Sequence, residues 1–147
     1  MERRPGVIFD MDGTLADVAG IRHLVRGTRR DFDAFHRESV NVPPHDDIVA
    51  MARDFDARGV DVIIVTARRA KFRNPTAFFL AIHDIPSVAL FMRGDRDGRP
   101  DVEVKRDILA RIRQTHDVVM AVDDNPAVIA LWREEGIPVH VVPGFDF

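Results

Sequence analysis

The sequence predicts an α/β protein built on a doubly wound parallel sheet, and two observations carry this prediction. Short apolar runs rich in Val and Ile alternate with segments of helical spacing, and the alternation repeats four times. The apolar runs are continuous rather than interrupted by polar residues, which is typical of strands that helices bury on both faces. Repeated strand–helix units with right-handed crossovers build such a sheet.

Five apolar runs are the predicted strands, and each has the length of a strand rather than of a helix. In chain order they are Val7–Phe9, Val60–Val65, Val88–Met92, Val118–Val122 and Val139–Val142. Because ligands bind at the carboxyl ends of the strands in open α/β sheets, the residues that follow these runs are the first place to look for a site.

Four helices are predicted from apolar periodicity and from capping residues. They cover residues 45–58, residues 74 to about 83, a segment that begins at Asp101 and a segment that begins at Asn125. Asn74 and Asn125, each followed by proline, and Asp101 are the predicted N-caps. Gly59 and Gly136 are the predicted stops of the first and last of these helices.

Residues 16–44 do not fit this alternation and are predicted to be an insertion directly after the first strand. Arginines are interspersed in it with apolar residues. We expect the insertion to be mostly helical and to lie like a cap over one end of the sheet, with Gly27 interrupting the helical pattern. Residues 1–147 are then expected to form one domain that carries this insertion.

Composition narrows the class of protein further. The chain has 147 residues, of which 46% are hydrophobic and 31% charged, and this length buries roughly two-thirds of its unfolded surface. It has no cysteine, which excludes disulfides, thiolate metal sites and cysteine nucleophiles. A net charge of −3 excludes a polycation that coats nucleic acid. No apolar run has the length of a membrane span or secretory signal, so a cytoplasmic protein is expected.

Polar side chains that carry chemistry follow four of the predicted strands. They are Asp10, Asp12 and Thr14, then Thr66 and Arg68, then Asp101 and Lys105, and finally Asp123 and Asp124. Carboxylates gathered at one edge repel one another unless a cation offsets their charge, and oxygen ligands favour Mg²⁺. Lys105 is predicted in the first turn of its helix, where a cation opposes the helix dipole. This unfavourable place indicates a salt-bridging and phosphate-binding role.

In this order and spacing, the residues resemble the motifs of the haloacid dehalogenase (HAD) superfamily. Asp10-x-Asp12-Gly13-Thr14, Thr66, Lys105 and Asp123-Asp124 carry the resemblance over nearly the whole chain. It implies a Rossmann-like fold in which Asp10 attacks phosphorus and forms an aspartyl-phosphate. It also implies that Asp12 protonates the leaving oxygen and then activates water as a general base.

The same resemblance implies roles for the other motif residues. Thr66 and Lys105 would hold the phosphoryl oxygens. The implied Mg²⁺ ligands are Asp10, the backbone carbonyl of Asp12, Asp123 and, directly or through water, Asp124. In this superfamily, halide release needs no proton, so a second aspartate two residues after the first fits a phosphatase better than a dehalogenase. Offsetting charge on the transferring group is most of what phosphoryl transfer requires.

Further details are similar to the 3′-phosphatase domain of polynucleotide kinase-phosphatase. They are Val65-Thr66-Ala67-Arg68, the spacing from Asp101 to Lys105, Ala121-Val122-Asp123-Asp124, Leu131-Trp132-Arg133 and Gly144-Phe145-Asp146-Phe147. This likeness implies active-site roles for Arg68 and Asp101, and Arg22 matches another family arginine. Asp101 is expected to orient Lys105 as an i,i+4 pair, to cap its helix, or to do both. No Gly-Lys pair occurs in the sequence, so the kinase's phosphate-binding loop is absent.

The insertion is where HAD enzymes set substrate choice, and its arginines are the predicted substrate contacts. They are Arg22, Arg26 and Arg29 or Arg30, at the spacing of one helix face, with Arg68, Arg69, Lys71 and Arg73 after the second strand. Together they would form a basic groove along a nucleic-acid backbone, and the alternative is a solvated helix face. Phe32 and Phe35 are expected either to stack on bases or to pack the insertion onto the core.

The sequence therefore predicts a Mg²⁺-dependent phosphatase that removes terminal 3′-phosphates from DNA or RNA in nucleic-acid end repair. It would act alone or with a separately encoded kinase or ligase. A small-molecule phosphomonoesterase such as a nucleotidase is the alternative. A phosphate-binding module without turnover is a third hypothesis, which the intact set of Asp10, Asp12 and Lys105 disfavours. The choice between DNA and RNA and the oligomeric state stay open.

Overall fold

A parallel five-stranded sheet lies at the centre of the computed structural model, which describes residues 2–26 and 30–145. The strands are β1 (Arg4–Phe9), β2 (Asp61–Arg69), β3 (Ala89–Arg93), β4 (His116–Asp123) and β5 (Val139–Val141). They are arranged in the order β3-β2-β1-β4-β5, and every neighbouring pair is parallel. The predicted doubly wound α/β fold is confirmed. Within the described ranges, no helix combines the length and the apolarity that crossing a bilayer requires.

Five α-helices connect or flank these strands. They are α1 (Phe32–Glu38), α2 (Asp46–Ala57), α3 (Arg73–Ile82), α4 (Asp101–Ile112) and α5 (Pro126–Glu134). Short 3₁₀ helices span Ala19–Val25, Ser39–Asn41 and Ala70–Phe72. The four helices predicted from the sequence correspond to α2–α5, and Gly59 and Gly136 lie just beyond the ends of α2 and α5 as predicted.

The core is divided by the sheet into two apolar clusters. Residues of α2 and α3 form one cluster with Val7 and Phe9 of β1. Residues of α4 and α5 form the other cluster with Ile8, the residue between them. Because successive side chains of a strand point to opposite faces, a strand that contributes to both clusters must be apolar at every position. This explains the continuous apolar runs of the sequence.

The two asparagine caps have different outcomes. Asn125 caps α5, since its side chain accepts a hydrogen bond from the Ala127 N–H at 3.0 Å. The predicted cap of Asn74 is wrong, because α3 already begins at Arg73. The 3₁₀ turn Ala70–Phe72 leads directly into this helix, so Asn74 is part of its first turn.

The insertion leaves and returns beside the loop that follows β1. A β-bridge joins Ala16 to Pro44, and the Asp17 N–H donates to the Pro43 carbonyl at 2.9 Å. A second bridge joins Ala16 to Asp12. These contacts hold the base of the insertion at the carboxyl end of β1, next to the predicted catalytic loop.

The backbone of the insertion corrects the predicted arginine face. The 3₁₀ helix Ala19–Val25 ends before Arg26, whose backbone is extended, with φ −101° and ψ 157°. Arg30 precedes α1. A single helix therefore does not align Arg22, Arg26 and Arg30, and Arg29 lies outside the described residues. Short 3₁₀ and α segments nevertheless make up most of the described part of the insertion, as the sequence predicts.

Candidate active site

A cavity of about 580 Å³ opens at the carboxyl edge of the sheet. The residues that the sequence singles out and that line this cavity are Asp10, Asp12, Arg30, Phe32, Phe35, Thr66, Arg68, Arg69, Asp101, Lys105 and Asp124. Asp123 is completely buried and joins the site through its contact with Lys105. Arg22 and Arg26 lie outside the cavity lining. The fold thus brings most of the predicted side chains to one place.

Lys105 joins two of the strand-end carboxylates. Its Nζ lies 2.9 Å from Oδ1 of Asp10 and 3.2 Å from Oδ2 of Asp123, and only 3% of its side chain is exposed. Burial alone would lower the pKa of Lys105, but the charges of Asp10 and Asp123 outweigh it and raise the pKa above its usual value. Lys105 therefore remains a buried ammonium group. It is the fifth residue of α4, beyond the first turn in which the sequence places it.

The structure corrects the expected roles of Asp101. Pro100 occupies the N-cap position of α4, so Asp101 is the first helical residue and not the cap. Its Oδ1 accepts a hydrogen bond from Nη2 of Arg93 at 2.6 Å, whereas the ammonium of Lys105 contacts the strand-end carboxylates. The expected Asp101–Lys105 pair is therefore wrong. Asp101 lines the cavity, but it is oriented by Arg93.

Arg93 is a cavity residue that is absent from the predicted site. It is buried at the end of β3, and its guanidinium donates to the carbonyls of Ala67 at 3.0 Å and Asp97 at 2.9 Å besides Asp101. It thereby ties the end of β2 and the loop after β3 to the start of α4. The sequence contains one indication of its role. Arg93 directly follows a predicted apolar strand, as other site residues do.

Three buried carboxylates form a cluster that fits a divalent cation. Asp10, Asp123 and Asp124 each offer an oxygen, and these oxygens lie within 4.8 Å of one another. Thr14 Oγ1 donates to Oδ2 of Asp10 at 3.1 Å, but Oδ2 of Asp124 is buried with no hydrogen-bond partner in residues 2–26 and 30–145. A buried acceptor without a partner is costly, and an all-oxygen donor set suits Mg²⁺. The residues present therefore fit the metal that the sequence implies.

The electrostatics of the cluster point the same way. Burial, followed by the charge of Asp123, raises the pKa of Asp10 well above its ordinary value, and Lys105 opposes this only in part. Burial also raises the pKa of Asp124 to about 6. Burial and the neighbouring charge of Asp123 thus disfavour the ionised form of both carboxyl groups, and a bound cation would favour it.

Gly13 allows this cluster to form. Its φ of +81° is a backbone conformation that L residues rarely adopt, and a Cβ built on it would lie 2.0 Å from Oδ2 of Asp124. A side chain at this position would displace the Asp124 carboxylate from the cluster. Glycine is therefore required at position 13, because Asp124, in the loop after β4, approaches the backbone there closely.

Arg68 holds Asp12 in place. Its Nε donates to Oδ2 of Asp12 at 3.0 Å, Nη2 donates to Oδ1, and Nη1 donates to Oγ1 of Thr76 at 3.0 Å. Burial raises the pKa of Asp12, but the charge and hydrogen bonds of Arg68 outweigh it, so the pKa lies below its ordinary value. At rest Asp12 is thus a carboxylate, the form of a general base. Thr66 Oγ1 accepts a hydrogen bond from the Arg68 N–H at 3.2 Å.

The predicted basic groove is only partly assembled. Arg30 and Arg69 line the cavity, but Arg69 also donates to the Asp95 carbonyl, and Arg73 donates to the Leu90 carbonyl. Lys71 forms an ion pair with Asp33 of α1, with Nζ 3.2 Å from Oδ1. These contacts join the insertion to its neighbouring loops. They are internal contacts of basic groups that the sequence analysis assigns to substrate binding.

The two phenylalanines of the insertion divide between the two expected roles. Phe35 is 3% exposed and belongs to the core cluster, so it packs the insertion onto the sheet. Phe32 is 53% exposed and lines the cavity. His36, which the sequence does not mark as a site residue, lines the cavity as well.

Comparison with known proteins identifies the family. Residues 4–147 match the family described as polynucleotide kinase PNKP phosphatase domain. The structures "Pnkp1/Rnl/Hen1 complex" and "Pnkp1/Rnl/Hen1 RNA repair complex" are similar over 100% of this chain, with TM-scores of 0.86 and 0.85 and identities of 28% and 26%. This chain spans about half the length of those chains, 48% and 46% respectively.

A more distant structure shows the fold alone. The class C acid phosphatase from Bacillus anthracis has a TM-score of 0.73 at 16% identity, over 97% of this chain and 67% of that chain. The strand-end carboxylates and the buried lysine are the residues that the sequence motifs predict, and the family match is consistent with them. The chain belongs to the polynucleotide kinase PNKP phosphatase domain family of the HAD superfamily.

Proposed function

We propose that this chain is a Mg²⁺-dependent phosphatase that hydrolyses terminal 3′-phosphates of nucleic acid through an aspartyl-phosphate on Asp10. One observation carries the proposal. Asp10 lines an open cavity while Lys105 and Thr14 each hold one of its oxygens, at 2.9 and 3.1 Å. A carboxylate that is fixed by two donors next to an accessible space is arranged for attack on a bound phosphorus.

In the first step, an oxygen of Asp10 forms a bond to phosphorus as the bond from phosphorus to the leaving 3′-oxygen breaks. The electron pair of that bond goes to the leaving oxygen, which takes a proton from Asp12. Arg68 keeps Asp12 ionised at rest. A phosphate ester that binds nearby adds negative charge and competes for the guanidinium, and both effects raise the pKa of Asp12 toward the protonated form.

In the second step, water attacks the phosphorus of the aspartyl-phosphate and gives its proton to Asp12. The bond between phosphorus and the Asp10 oxygen breaks, which releases inorganic phosphate and restores the nucleophile. The lowered pKa of Asp12 suits the start of this step, because the carboxylate must be ionised to accept a proton. Lys105 and Thr66 are the proposed contacts of the phosphoryl oxygens.

The proposed metal ligands are Asp10, Asp123, Asp124 and the backbone carbonyl of Asp12. The partnerless Oδ2 of Asp124 supports this assignment. When bound, Mg²⁺ would offset negative charge on the transferring group. Lys105 would offset part of the same charge, since its ammonium group already forms an ion pair with Asp10.

The polynucleotide substrate is proposed from the family and from the names of the similar structures. One of those structures is an RNA repair complex, which supports a role in end repair with separately encoded partners such as a ligase or a kinase. The exposed Phe32 and Arg30 at the cavity provide an aromatic and a basic group for a nucleotide.

The test is a substrate panel, measured with and without Mg²⁺. It compares oligonucleotides with a 3′-phosphate, the same oligonucleotides with a 5′-phosphate, and 3′-mononucleotides. We expect the highest kcat/KM for the 3′-phosphorylated strands and no turnover after the metal is removed with a chelator. A higher kcat/KM for mononucleotides would replace the proposal with the small-molecule phosphomonoesterase, and no turnover of any ester would leave a phosphate-binding module.

A further inference from the structure

His36 is a half-buried titratable residue of the cavity that the proposed mechanism does not use. It lies on α1 of the insertion and lines the cavity. Its ring is held by aromatic neighbours, with ring centroids 5.3 Å from Phe35 and 5.0 Å from Phe72. Two elements, the insertion and the segment after β2, therefore fix the position of this imidazole.

The imidazole of His36 is neutral at physiological pH. Burial lowers its pKa to about 4, and the opposing effect of the Asp12 charge is smaller. Of its two ring nitrogens, only Nδ1 is buried without a hydrogen-bond partner among the residues that the structure describes. An orphaned buried N–H is rarer in proteins than an acceptor without a partner, so we place the ring proton on Nε2. Nε2 then carries the N–H of a ring that lines the cavity.

The position of His36 relative to Asp12 says which part of a substrate it meets. His36 and Asp12 both line the cavity. The Phe72 ring contacts His36, and the Phe72 carbonyl accepts a hydrogen bond from Thr76, which in turn binds Arg68, the partner of Asp12. Under the proposed function, the 3′-oxygen of the substrate lies about 2.6–3.2 Å from Asp12 when it takes its proton. In a ribonucleotide the 2′-hydroxyl is on the adjacent carbon. It is therefore the next polar group along the sugar from the leaving oxygen.

A second side chain of α1 accompanies His36. Phe32 precedes it by four residues, so both side chains lie on the same face of the helix, and Phe32 is 53% exposed at the cavity. An exposed aromatic ring can stack on a base, while a neutral donor can reach the sugar of the same nucleotide. This pair suits a nucleoside better than a small phosphate ester without a base.

We propose that His36 determines sugar specificity by donating a hydrogen bond from Nε2 to the 2′-oxygen of a 3′-terminal ribonucleotide. The inference rests on the proposed function, because it needs a 3′-phosphate ester next to Asp12. The 2′-hydroxyl is the group by which a protein distinguishes RNA from DNA at one position. His36 is thus a substrate contact that selects the sugar and takes no part in bond cleavage.

The experiment compares two 3′-phosphorylated oligonucleotides that differ only in the last sugar, which is ribose in one and deoxyribose in the other. The readout is the ratio of their kcat/KM values within each protein, so a general loss of activity cancels. We expect the wild-type protein to prefer the ribose end by about three- to tenfold, the size of one neutral hydrogen bond. His36→Leu should bring the ratio to about one.

Two further variants separate the donor from the fold. His36→Gln keeps an N–H donor on the side chain and should retain part of the ribose preference. His23→Leu changes an exposed histidine of the same insertion, outside the cavity lining, and should keep the wild-type ratio. If His36→Leu does not fold, the wild-type ratio and the His36→Gln ratio still decide the matter.

The outcomes are distinct from those of the substrate panel. A wild-type ratio of about one, or an unchanged ratio in His36→Leu, overturns the role of His36 while 3′-phosphatase activity stands. Failure to hydrolyse either strand better than a mononucleotide overturns the proposed function itself, and the sugar contact with it.

Discussion

The amino edge of the sheet pairs its charges, whereas the carboxyl edge contains a cluster of three carboxylates, two of which contact a single lysine. At the amino edge, Arg4, Asp61 and His116 are the first residues of β1, β2 and β4. Asp61 accepts hydrogen bonds from Nε and Nη2 of Arg4 at 2.8 and 3.0 Å, and its Oδ2 lies 2.8 Å from Nε2 of His116. The acidic group of this set is fully partnered.

At the carboxyl edge, three buried carboxylates share one buried lysine. Lys105 contacts Asp10 and Asp123, and Oδ2 of Asp124 has no partner. The fold holds these groups together against their repulsion, since each is attached to the end of a strand or to a helix. The amino edge therefore stabilises the fold, whereas the carboxyl edge lowers the stability of the fold and maintains a binding site for a cation and phosphate.

The pKa values of two aspartates express the same contrast. Hydrogen bonds from Arg4 and His116 lower the pKa of Asp61 to about 2. Burial and the charge of Asp123 raise the pKa of Asp10 well above its ordinary value. The pKa of an aspartate is thus lowered where hydrogen-bond donors pair with it and raised where burial and another carboxylate surround it.

The largest effect is expected for Asp10→Asn. Loss of the nucleophile should lower kcat/KM for a 3′-phosphorylated oligonucleotide by about 10⁴-fold or more. Removing one of three crowded negative charges should at the same time raise the melting temperature of the metal-free protein. Addition of Mg²⁺ should raise the melting temperature of the wild type and have a smaller effect on the variant, because one ligand is gone.

A phosphate-release assay and thermal unfolding with and without Mg²⁺ check these expectations. Unchanged phosphate release would contradict the assignment of Asp10. A metal-free variant that melts below the wild type would contradict the claim that the carboxyl edge costs stability.

The second effect concerns the glycine that lets Asp124 approach. Gly13→Ala would place a Cβ 2.0 Å from Oδ2 of Asp124 at a positive φ. We expect a loss of roughly 100-fold in kcat/KM from the displaced carboxylate and a loss of about 1–3 kcal/mol in the free energy of unfolding. Activity and urea unfolding are the measurements.

Gly20→Ala is the matched control, because a Cβ at this position has nothing within 4 Å. It should leave both quantities near the wild-type values. Equal losses in the two variants would mean that the close approach at Gly13 is not what matters.

The third prediction tests the amino edge. Asp61→Asn should lower the free energy of unfolding by about 1 kcal/mol at neutral pH, because the carboxylate loses its hydrogen bonds with Arg4 and His116, and the exposure of Arg4 limits their contribution. The folded pKa of about 2 lies below the unfolded value of about 3.9, so this stabilisation is present above pH 4 and is lost as the pH falls toward 2. kcat/KM should not change, since Asp61 lies at the opposite edge from the cavity.

Chemical denaturation of both proteins at several pH values measures the difference. Asp54→Asn is the control, because Asp54 forms an exposed i,i+4 pair with Arg58, which contributes at most about 0.5 kcal/mol. A stability difference for Asp61→Asn that stays constant down to pH 2 would show that the carboxylate charge is not its source.

Much of this contrast could be predicted from the sequence, because position along a parallel strand determines the edge. The continuous apolar runs indicate strands buried on both faces, and this pattern predicts the sheet and its helices. The polar residues directly after those runs predict that Asp10, Lys105 and Asp123 meet. These inferences depend on local periodicity and chain direction, which a single sequence contains.

The parts that failed depend on contacts between distant segments. Asp101 has the right spacing to pair with Lys105, but Arg93 competes for its carboxylate across a loop. His36 carries no sequence signal, since its burial arises only when α1 packs beside Phe72. Helical spacing of Arg26 and Arg30 predicts one face, but the 3₁₀ helix of the insertion ends before Arg26, whose backbone is extended.

The smallest effect is expected for a charge reversal in the insertion. It tests whether the positive charge of the insertion assists substrate binding at the cavity. Arg30→Glu places a negative charge at the cavity lining and should raise KM for a 3′-phosphorylated oligonucleotide by about three- to fivefold at low ionic strength. Arg26→Glu makes the same change outside the cavity lining and should have less effect. Because Arg30 is exposed, its contribution should fall as salt is added, so KM is measured at about 50 mM and 500 mM salt. Equal changes in KM for the two variants would show that the insertion acts through its overall charge and not through a group placed at the cavity.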